Sequence, residues 1–265
     1  MRLLSIASGS SGNSIYVGSN NTHILVDVGI SAKRIECGLK ELELKGADID
    51  AIFITHEHSD HIQGLGVISR KYGIPIYATA GTIDAVKRIS ALGKIDESLY
   101  NVVHYNEDYC IGDITISTIE TSHDASEPVA YSFSENGKKA AVITDLGYYN
   151  DYIVEKLQNL DAIYLEANHD VRMLQLGRYP YMLKQRILGN KGHLSNETSG
   201  HLLNEILHDN MKKIILSHLS QENNLPELAY EAVRLEVTMA DNKYNGDDFD
   251  ISVARRGEPS EILCI

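Results

Sequence analysis

The segment from His56 to His61, with the sequence His-Glu-His-Ser-Asp-His, places three imidazoles and an aspartate carboxylate within six consecutive positions. It follows the apolar run Ala-Ile-Phe-Ile at residues 51–54, which predicts a buried strand. His56 and His58 can direct their ring nitrogens at one metal ion, and Asp60 and His61 can face a second position where the chain turns into a helix. Such nitrogen and oxygen ligands suit zinc, manganese or iron. A histidine-rich surface loop is the alternative, but the position at a strand end favours a metal site.

Composition and charge narrow the class of protein. The chain has 265 residues, of which 43% are hydrophobic, and can therefore bury a sizeable core. No charged leader or long apolar segment is visible, so we expect neither a secretory signal nor a membrane helix. Three cysteines at unrelated spacings indicate a reducing compartment, and the cytoplasm is the default. A net charge of −13 argues against a surface that coats nucleic acid, but it does not exclude a polyanionic substrate.

Short strand patterns alternate with helical patterns along the whole chain. Strands are predicted at residues 3–8, 14–17, 23–28, 51–55, 75–78, 114–120, 129–134, 140–144, 162–166, 213–217 and 249–254. Helices are predicted at residues 33–45, 63–72, 82–92, 151–159, 196–208 and 227–238. Asn136-Gly137 is a hairpin turn signal. This α/β pattern, in two halves without a linker, predicts an αββα sandwich formed by a single domain over residues 1–265.

Three further ligand-type residues each follow a predicted strand. They are His123, Asp145 and His218, and each lies just past an apolar strand. A lone histidine at a strand end is more often a solvated or core residue. The three residues occur in order after the His56–His61 segment, and together they predict additional metal ligands. Several strands of a sandwich can end at one edge, so the residues that follow them can lie close together.

In this ordered set of motifs the chain resembles the metallo-β-lactamase superfamily. Further motifs resemble its YycJ/WalJ subgroup of DNA exonucleases: Ala-Ser-Gly-Ser-Ser-Gly-Asn-Ser at residues 7–14, Glu-Ala-Asn-His-Asp at residues 166–170 and Gly-His-Leu-Ser-Asn at residues 192–196. The secreted lactamases of the superfamily are a poorer match, because they typically carry a cysteine where this chain has Asp145.

The resemblance implies a two-metal centre, with zinc or manganese as the ions. It assigns His56, His58 and His123 to the first metal, and Asp60, His61 and His218 to the second. Asp145 would bridge the two ions, and Asp27 would support the site without binding a metal. Such a centre activates water for attack on a phosphodiester.

Several residues near these motifs are candidates for proton transfer and substrate binding. Asp60 is a plausible orienting base, and His193 is a candidate acid for the leaving group, although a helix-capping segment with an incidental histidine is the alternative. His169 and Glu166 follow a strand, and either shape the same edge or lie on the surface. The Ser/Gly loop at residues 8–14 offers donors for a phosphate, but such loops are usually only tight turns.

Residues 171–191 contain five basic and no acidic side chains, in contrast to the acidic chain as a whole. The basic residues are Arg172, Arg178, Lys184, Arg186 and Lys191. Tyr179 and Tyr181 lie among them, as expected for a groove that binds phosphates and unpaired bases. A solvated helix face is the other interpretation.

These features predict a metal-dependent phosphodiesterase or nuclease, and most specifically a DNA exonuclease that resembles 5′-to-3′ enzymes. Two alternatives stay open. One is a small-molecule hydrolase of the same fold that acts on a phosphodiester or thioester. The other is a non-catalytic regulator that binds a protein partner, although the complete ligand set speaks against it.

Overall fold

The structure is a computed structural model that describes residues 1–265. The chain divides into two compact units, each built from separate segments. The first unit comprises Met1–Glu120, Ala125–Gly137 and Arg255–Ile265, and the second comprises Thr121–Asp124 and Lys138–Ala254. The single-domain interpretation stays a prediction.

Fourteen strands and nine α-helices make up the regular secondary structure. The strands are β1 Arg2–Ala7, β2 Ser14–Gly18, β3 His23–Val26, β4 Ala51–Phe53, β5 Ile76–Ala78, β6 Tyr100–Val102, β7 Asp108–Ile111, β8 Ile114–Glu120, β9 Val129–Glu135, β10 Lys138–Ile143, β11 Ala162–Glu166, β12 Lys213–Ser217, β13 Ile251–Val253 and β14 Leu263–Cys264. The helices are α1 Ala32–Glu41, α2 Ser59–Ile62, α3 Leu65–Tyr72, α4 Ala80–Lys87, α5 Asp151–Lys156, α6 Val171–Leu176, α7 Tyr181–Leu188, α8 Asn196–Ile206 and α9 Pro226–Met239.

The first unit contains a mixed seven-stranded sheet in the order β14-β1-β2-β3-β4-β5-β6. Strands β14 to β3 run antiparallel, and β3 to β6 run parallel. Helix α1 buries Ile35 and Leu39, four positions apart on one helical face, in the same hydrophobic cluster as the strand residues Leu25 and Ile52. Because β3 and β4 are parallel, the segments that follow them emerge at the same edge of the sheet.

A three-stranded antiparallel group, β7-β8-β9, also belongs to the first unit. Asn136 and Gly137 come directly after β9 and have φ values of 50° and 75°. Positive φ at both positions is the geometry that the Asn-Gly turn signal predicts.

The second unit contains the parallel strands β10, β11, β12 and β13 in sequential order. β11 is buried along its whole length, as are the last four residues of both β10 and β12, which explains their almost unbroken apolar sequences. The register pairs Ile143 with Leu165, and Glu166 with Ser217. The carboxyl ends of three neighbouring strands therefore deliver Asp145, Glu166 and His218 to one edge.

The sequence patterns did not predict six of the elements. These are β6, β7, β14, α2, α6 and α7. Helix α7 has no buried residue, so it packs no apolar face into a core. The predicted helix at 33–45 ends earlier, at Glu41, because Glu43 takes a left-handed conformation with φ 60°.

No helix combines the length and the apolar character that crossing a membrane would require.

Candidate metal centre

The first unit brings the three histidines of the opening segment together. The ring centroids of His56 and His58 are 4.6 Å apart, and those of His56 and His61 are 4.1 Å apart. Asp60 lies in the first turn of α2, and its Oδ2 atom is 3.5 Å from His61 Nε2. The predicted convergence of these side chains is therefore present in the structure.

Hydrogen bonds to Nδ1 fix the tautomers of two of these rings. Asp27 Oδ2 lies 2.7 Å from His61 Nδ1, so the ring donates through Nδ1. Thr55 Oγ1 donates its only proton to Asp27 Oδ2, and it must therefore accept a hydrogen bond from His56 Nδ1, 3.0 Å away. Both histidines are left with an Nε2 lone pair, which is the state that a divalent metal requires.

Asp27→Asn is expected to weaken zinc binding about 10- to 100-fold. An amide has only one acceptor oxygen, whereas the Asp27 carboxylate accepts from His61 Nδ1 at Oδ2 and from the Thr55 amide at Oδ1, 2.9 Å away. Competition for Zn²⁺ with a fluorescent chelator measures the affinity. Asp84→Asn, at an exposed position of α4, is the control, and an equal affinity for both variants would contradict this role of Asp27.

Gly29 lies where the segment of residues 55–61 packs against the loop of residues 8–13. Its amide donates to Asn13 O at 2.8 Å, and the Asn13 amide donates to Asp60 O at 2.8 Å. A Cβ atom on Gly29 would lie 1.6 Å from Asp60 O, so only glycine permits this approach.

Gly29→Ala is expected to lower the free energy of unfolding by about 2–4 kcal/mol, because the backbone of Asp60 must move. Urea denaturation followed by circular dichroism measures the change. Gly257→Ala is the matched control, since no atom lies within 4 Å of its added Cβ. Similar losses in the two variants would show that the close approach to Asp60 is unimportant.

The second unit contains a second cluster of acidic and histidine side chains. Asp145, Glu166, His193 and His218 each offer a ligand atom, and these atoms lie within 4.8 Å of one another. The Nε2 atoms of His123 and His218 are both 3.6 Å from Asp145 Oδ1. The three residues predicted from strand ends are therefore neighbours.

Two histidines of this cluster also donate through Nδ1. His123 Nδ1 lies 3.0 Å from Gly192 O, and His218 Nδ1 lies 2.9 Å from Glu166 Oε1. Their Nε2 atoms thus face Asp145 as potential metal ligands, and the donor set fits a divalent ion. Asp145 and His218 have φ values of 58° and 55°, an uncommon conformation that clusters at functional sites.

Glu166 is the central residue of the second cluster, a role that the sequence did not reveal. Its fully buried carboxylate accepts from His218 Nδ1 and from His193 Nδ1, 2.8 Å away. Burial alone would raise the pKa of Glu166, but the charge and hydrogen bond of His193 and the hydrogen bond of His218 lower it to about 2. Burial lowers the pKa of His193, but the Glu166 carboxylate outweighs this effect and raises it above the ordinary value.

The predicted substrate-binding residues have different environments. Arg172 and Arg178 are exposed. Arg186 is exposed and forms an ion pair with Asp124, whereas Lys184 donates to the carbonyls of Gln175 and Gly177. The last two therefore also hold the local structure around α7.

His169 is buried, with 1% of its surface exposed, and neither of its ring nitrogens has a hydrogen-bond partner. Burial lowers the pKa of His169 to about 4, so the ring is neutral at physiological pH. Its predicted role in substrate binding stays a prediction.

The chain is similar in sequence to known proteins over most of its length. Residues 22–218 match a family model described as a β-lactamase superfamily domain. The chain is 44% identical over 236 residues to exodeoxyribonuclease WalJ of Streptococcus pneumoniae, which covers 89% of this chain and 88% of that protein. It is 42% identical over 228 residues to exodeoxyribonuclease YycJ of Bacillus anthracis, which covers 86% of each.

Among solved structures, the metallo-β-lactamase fold protein YhfI from Bacillus subtilis superposes with a TM-score of 0.71, at 16% identity and over 98% of both chains. A likeness at this identity concerns the fold alone. The predicted α/β fold class, the metallo-β-lactamase-like sandwich, is thereby confirmed.

Proposed function

Because this chain belongs to the metallo-β-lactamase superfamily, we propose that it is a metal-dependent nuclease, and most specifically an exonuclease that acts on DNA. The similar proteins WalJ and YycJ are both named exodeoxyribonucleases, as the sequence motifs predicted. The observation that carries the proposal is the set of histidines whose Nδ1 atoms are held by acceptors, so that each neutral ring carries its lone pair on Nε2, the donor atom that a divalent metal binds.

The proposal includes two divalent ions, zinc or manganese. Their ligands would be those that the family pattern implies: His56, His58 and His123 for one ion, Asp60, His61 and His218 for the other, and Asp145 for both. Two such ions activate a water molecule and offset the charge of a phosphodiester.

Two residues of the chain are proposed to move protons. Asp60, which is partly exposed, would orient the attacking water and accept its proton. His193 would protonate the leaving oxygen. Its Nδ1 is held by Glu166, so Nε2 is the atom that faces the substrate, and the raised pKa of His193 favours the protonated form that an acid needs.

The basic segment of residues 171–191 would bind the DNA strand. Arg172 and Arg178 are exposed and suited to phosphates, and Tyr181 is 72% exposed and suited to stacking on an unpaired base. His169 would shape this region from its buried position. A cytoplasmic location is also part of the proposal, and the three unpaired cysteines support it.

Digestion of labelled DNA tests the proposal. Duplex and single-stranded oligonucleotides, labelled at the 5′ or the 3′ end, are incubated with the protein and Mn²⁺ or Zn²⁺, with EDTA as the control. We expect metal-dependent release of nucleotides from one end, most readily from the 5′ end. If metal analysis shows loaded protein and no DNA is cut, the proposal fails; cleavage of only bis(p-nitrophenyl) phosphate would favour a small-molecule hydrolase.

A further inference from the structure

The loop between β1 and β2, residues 8–13, contacts two of the proposed metal ligands. We call it the serine loop. Asn13 Nδ2 lies 3.1 Å from His61 Nε2 and 3.5 Å from Asp60 Oδ2. The Asn13 amide also donates to Asp60 O at 2.8 Å. The serine loop is therefore fixed beside the segment of residues 56–61, on the same unit.

The hydrogen bonds that shape the serine loop involve amides on either side of its tip. The two amides at the tip itself take no part in these bonds. The Gly12 amide donates to Gly9 O at 2.9 Å, and the Gly9 amide donates to Asn13 Oδ1 at 2.8 Å. Gly9 and Gly12 have φ values of 140° and 145°, which only glycine adopts readily. Ser10 and Ser11, between them, are exposed, and their amides donate to no group of the protein. Successive backbone amides in a turn can bind an anion when no protein group accepts from them.

The segment of residues 255–257 lies next to this tip. Arg256 Nη1 is 3.5 Å from Ser10 Oγ, and the Ser8 amide donates to Arg255 O at 3.2 Å, which holds the arginine segment against the loop. Arg34 Nη2 donates to Gly257 O at 3.2 Å, so a further guanidinium reaches the same turn. In a chain with a net charge of −13, this local arrangement of cations and amides is suited to an anion.

We propose that the serine loop and Arg256 form a binding subsite for a phosphate group of the DNA strand. The inference rests on the proposed nuclease function and adds to it a second point of contact, separate from the basic segment at residues 171–191. The amides of Ser10 and Ser11 and the Arg256 guanidinium would donate to the phosphate oxygens. Phosphate contacts of this type set the register of a strand without reading its sequence.

Arg256→Gln is expected to raise the KM for DNA about tenfold, with a smaller change in kcat, because one charge-assisted hydrogen bond to the phosphate is lost. Arg255→Gln is the matched control. Arg255 is the neighbouring residue, is exposed, and forms an ion pair with Glu258 at 3.9 Å. We expect the KM of this variant to equal that of the unmodified protein.

Three oligonucleotides identify the phosphate: one with a 5′-phosphate, one with a 3′-phosphate and one with hydroxyl groups at both ends. A rise in KM for Arg256→Gln that is confined to one phosphorylated end assigns the subsite to that terminal phosphate, and a rise with all three assigns it to an internal phosphate. Equal KM values for the two variants on every substrate would overturn the subsite while leaving the nuclease proposal intact. Failure of the unmodified protein to cut any DNA would instead refute the nuclease proposal.

Discussion

Asp145→Asn is expected to lower the rate of DNA cleavage by at least about 10³-fold, because the proposed bridging ligand loses its charge. Asp145 Oδ1 is 3.6 Å from the Nε2 atoms of both His123 and His218. An amide at this position no longer offers a negative oxygen between the two rings. The loss of bound metal should match the loss of activity.

Asparagine is the substitution of choice because it keeps both the shape and the backbone of this position. Asp145 has a φ of 58°, a conformation that asparagine tolerates better than most residues. The variant should therefore fold, so a loss of activity reports on the carboxylate and not on the backbone. Metal content by mass spectrometry, together with nucleotide release from labelled DNA, measures the two effects.

Asp151→Asn serves as the control for the loss of one negative charge in the second unit. Asp151 is exposed in the first turn of α5. The Asp151→Asn variant should have the same metal content and the same cleavage rate as the unmodified protein. If Asp145→Asn retained full metal content and full cleavage, Asp145 would not be a ligand and the two-metal interpretation would be wrong.

The candidate metal ligands could be proposed from the sequence because each of them follows a strand. Parallel strands end at one edge of a sheet, so Asp145 and His218, far apart in the chain, could be expected to meet. The close spacing of His56 and His58 required no knowledge of the fold. Buried parallel strands such as β11 have apolar sequences that make them easy to recognise.

The contacts that organise those residues could not be read from the sequence. Glu166 reaches His193 and His218, which are 27 and 52 positions further along the chain. A buried carboxylate at the end of an apolar strand has no sequence signature that distinguishes it from a surface one. In the basic segment, the number of charged residues likewise does not reveal that Arg186 forms an ion pair with Asp124.

Glu166→Gln is expected to lower DNA cleavage about 10²- to 10³-fold and to weaken metal binding about 10- to 100-fold. All four partners of this carboxylate are donors: His193 Nδ1 and His218 Nδ1 at Oε1, and the amides of Leu146 and Leu194 at Oε2. Glutamine replaces one oxygen with an NH₂ group, which places donors against donors in a fully buried position. Either the two histidines or the amides of Leu146 and Leu194 then face the NH₂ group, and in both orientations the histidines lose the charged acceptor that orients them.

The same substitution should lower the free energy of unfolding by about 2–4 kcal/mol, because buried donors are left without acceptors. Urea denaturation measures this loss, and zinc competition and DNA digestion measure the other two effects. Glu155→Gln, at an exposed position of α5, controls for the change of charge and should alter none of them.

His193→Ala separates the two roles of Glu166. It removes the proposed acid but leaves the bond between Glu166 and His218, so it should slow cleavage while metal affinity stays close to normal. In a Glu166→Gln/His193→Ala double variant, the loss in cleavage rate should be smaller than the product of the two single losses, because both changes disable the same acid. If the two losses in cleavage rate multiply in the double variant, Glu166 acts only through His218. If His193→Ala cleaves DNA at the unchanged rate, His193 takes no part in the proton transfer.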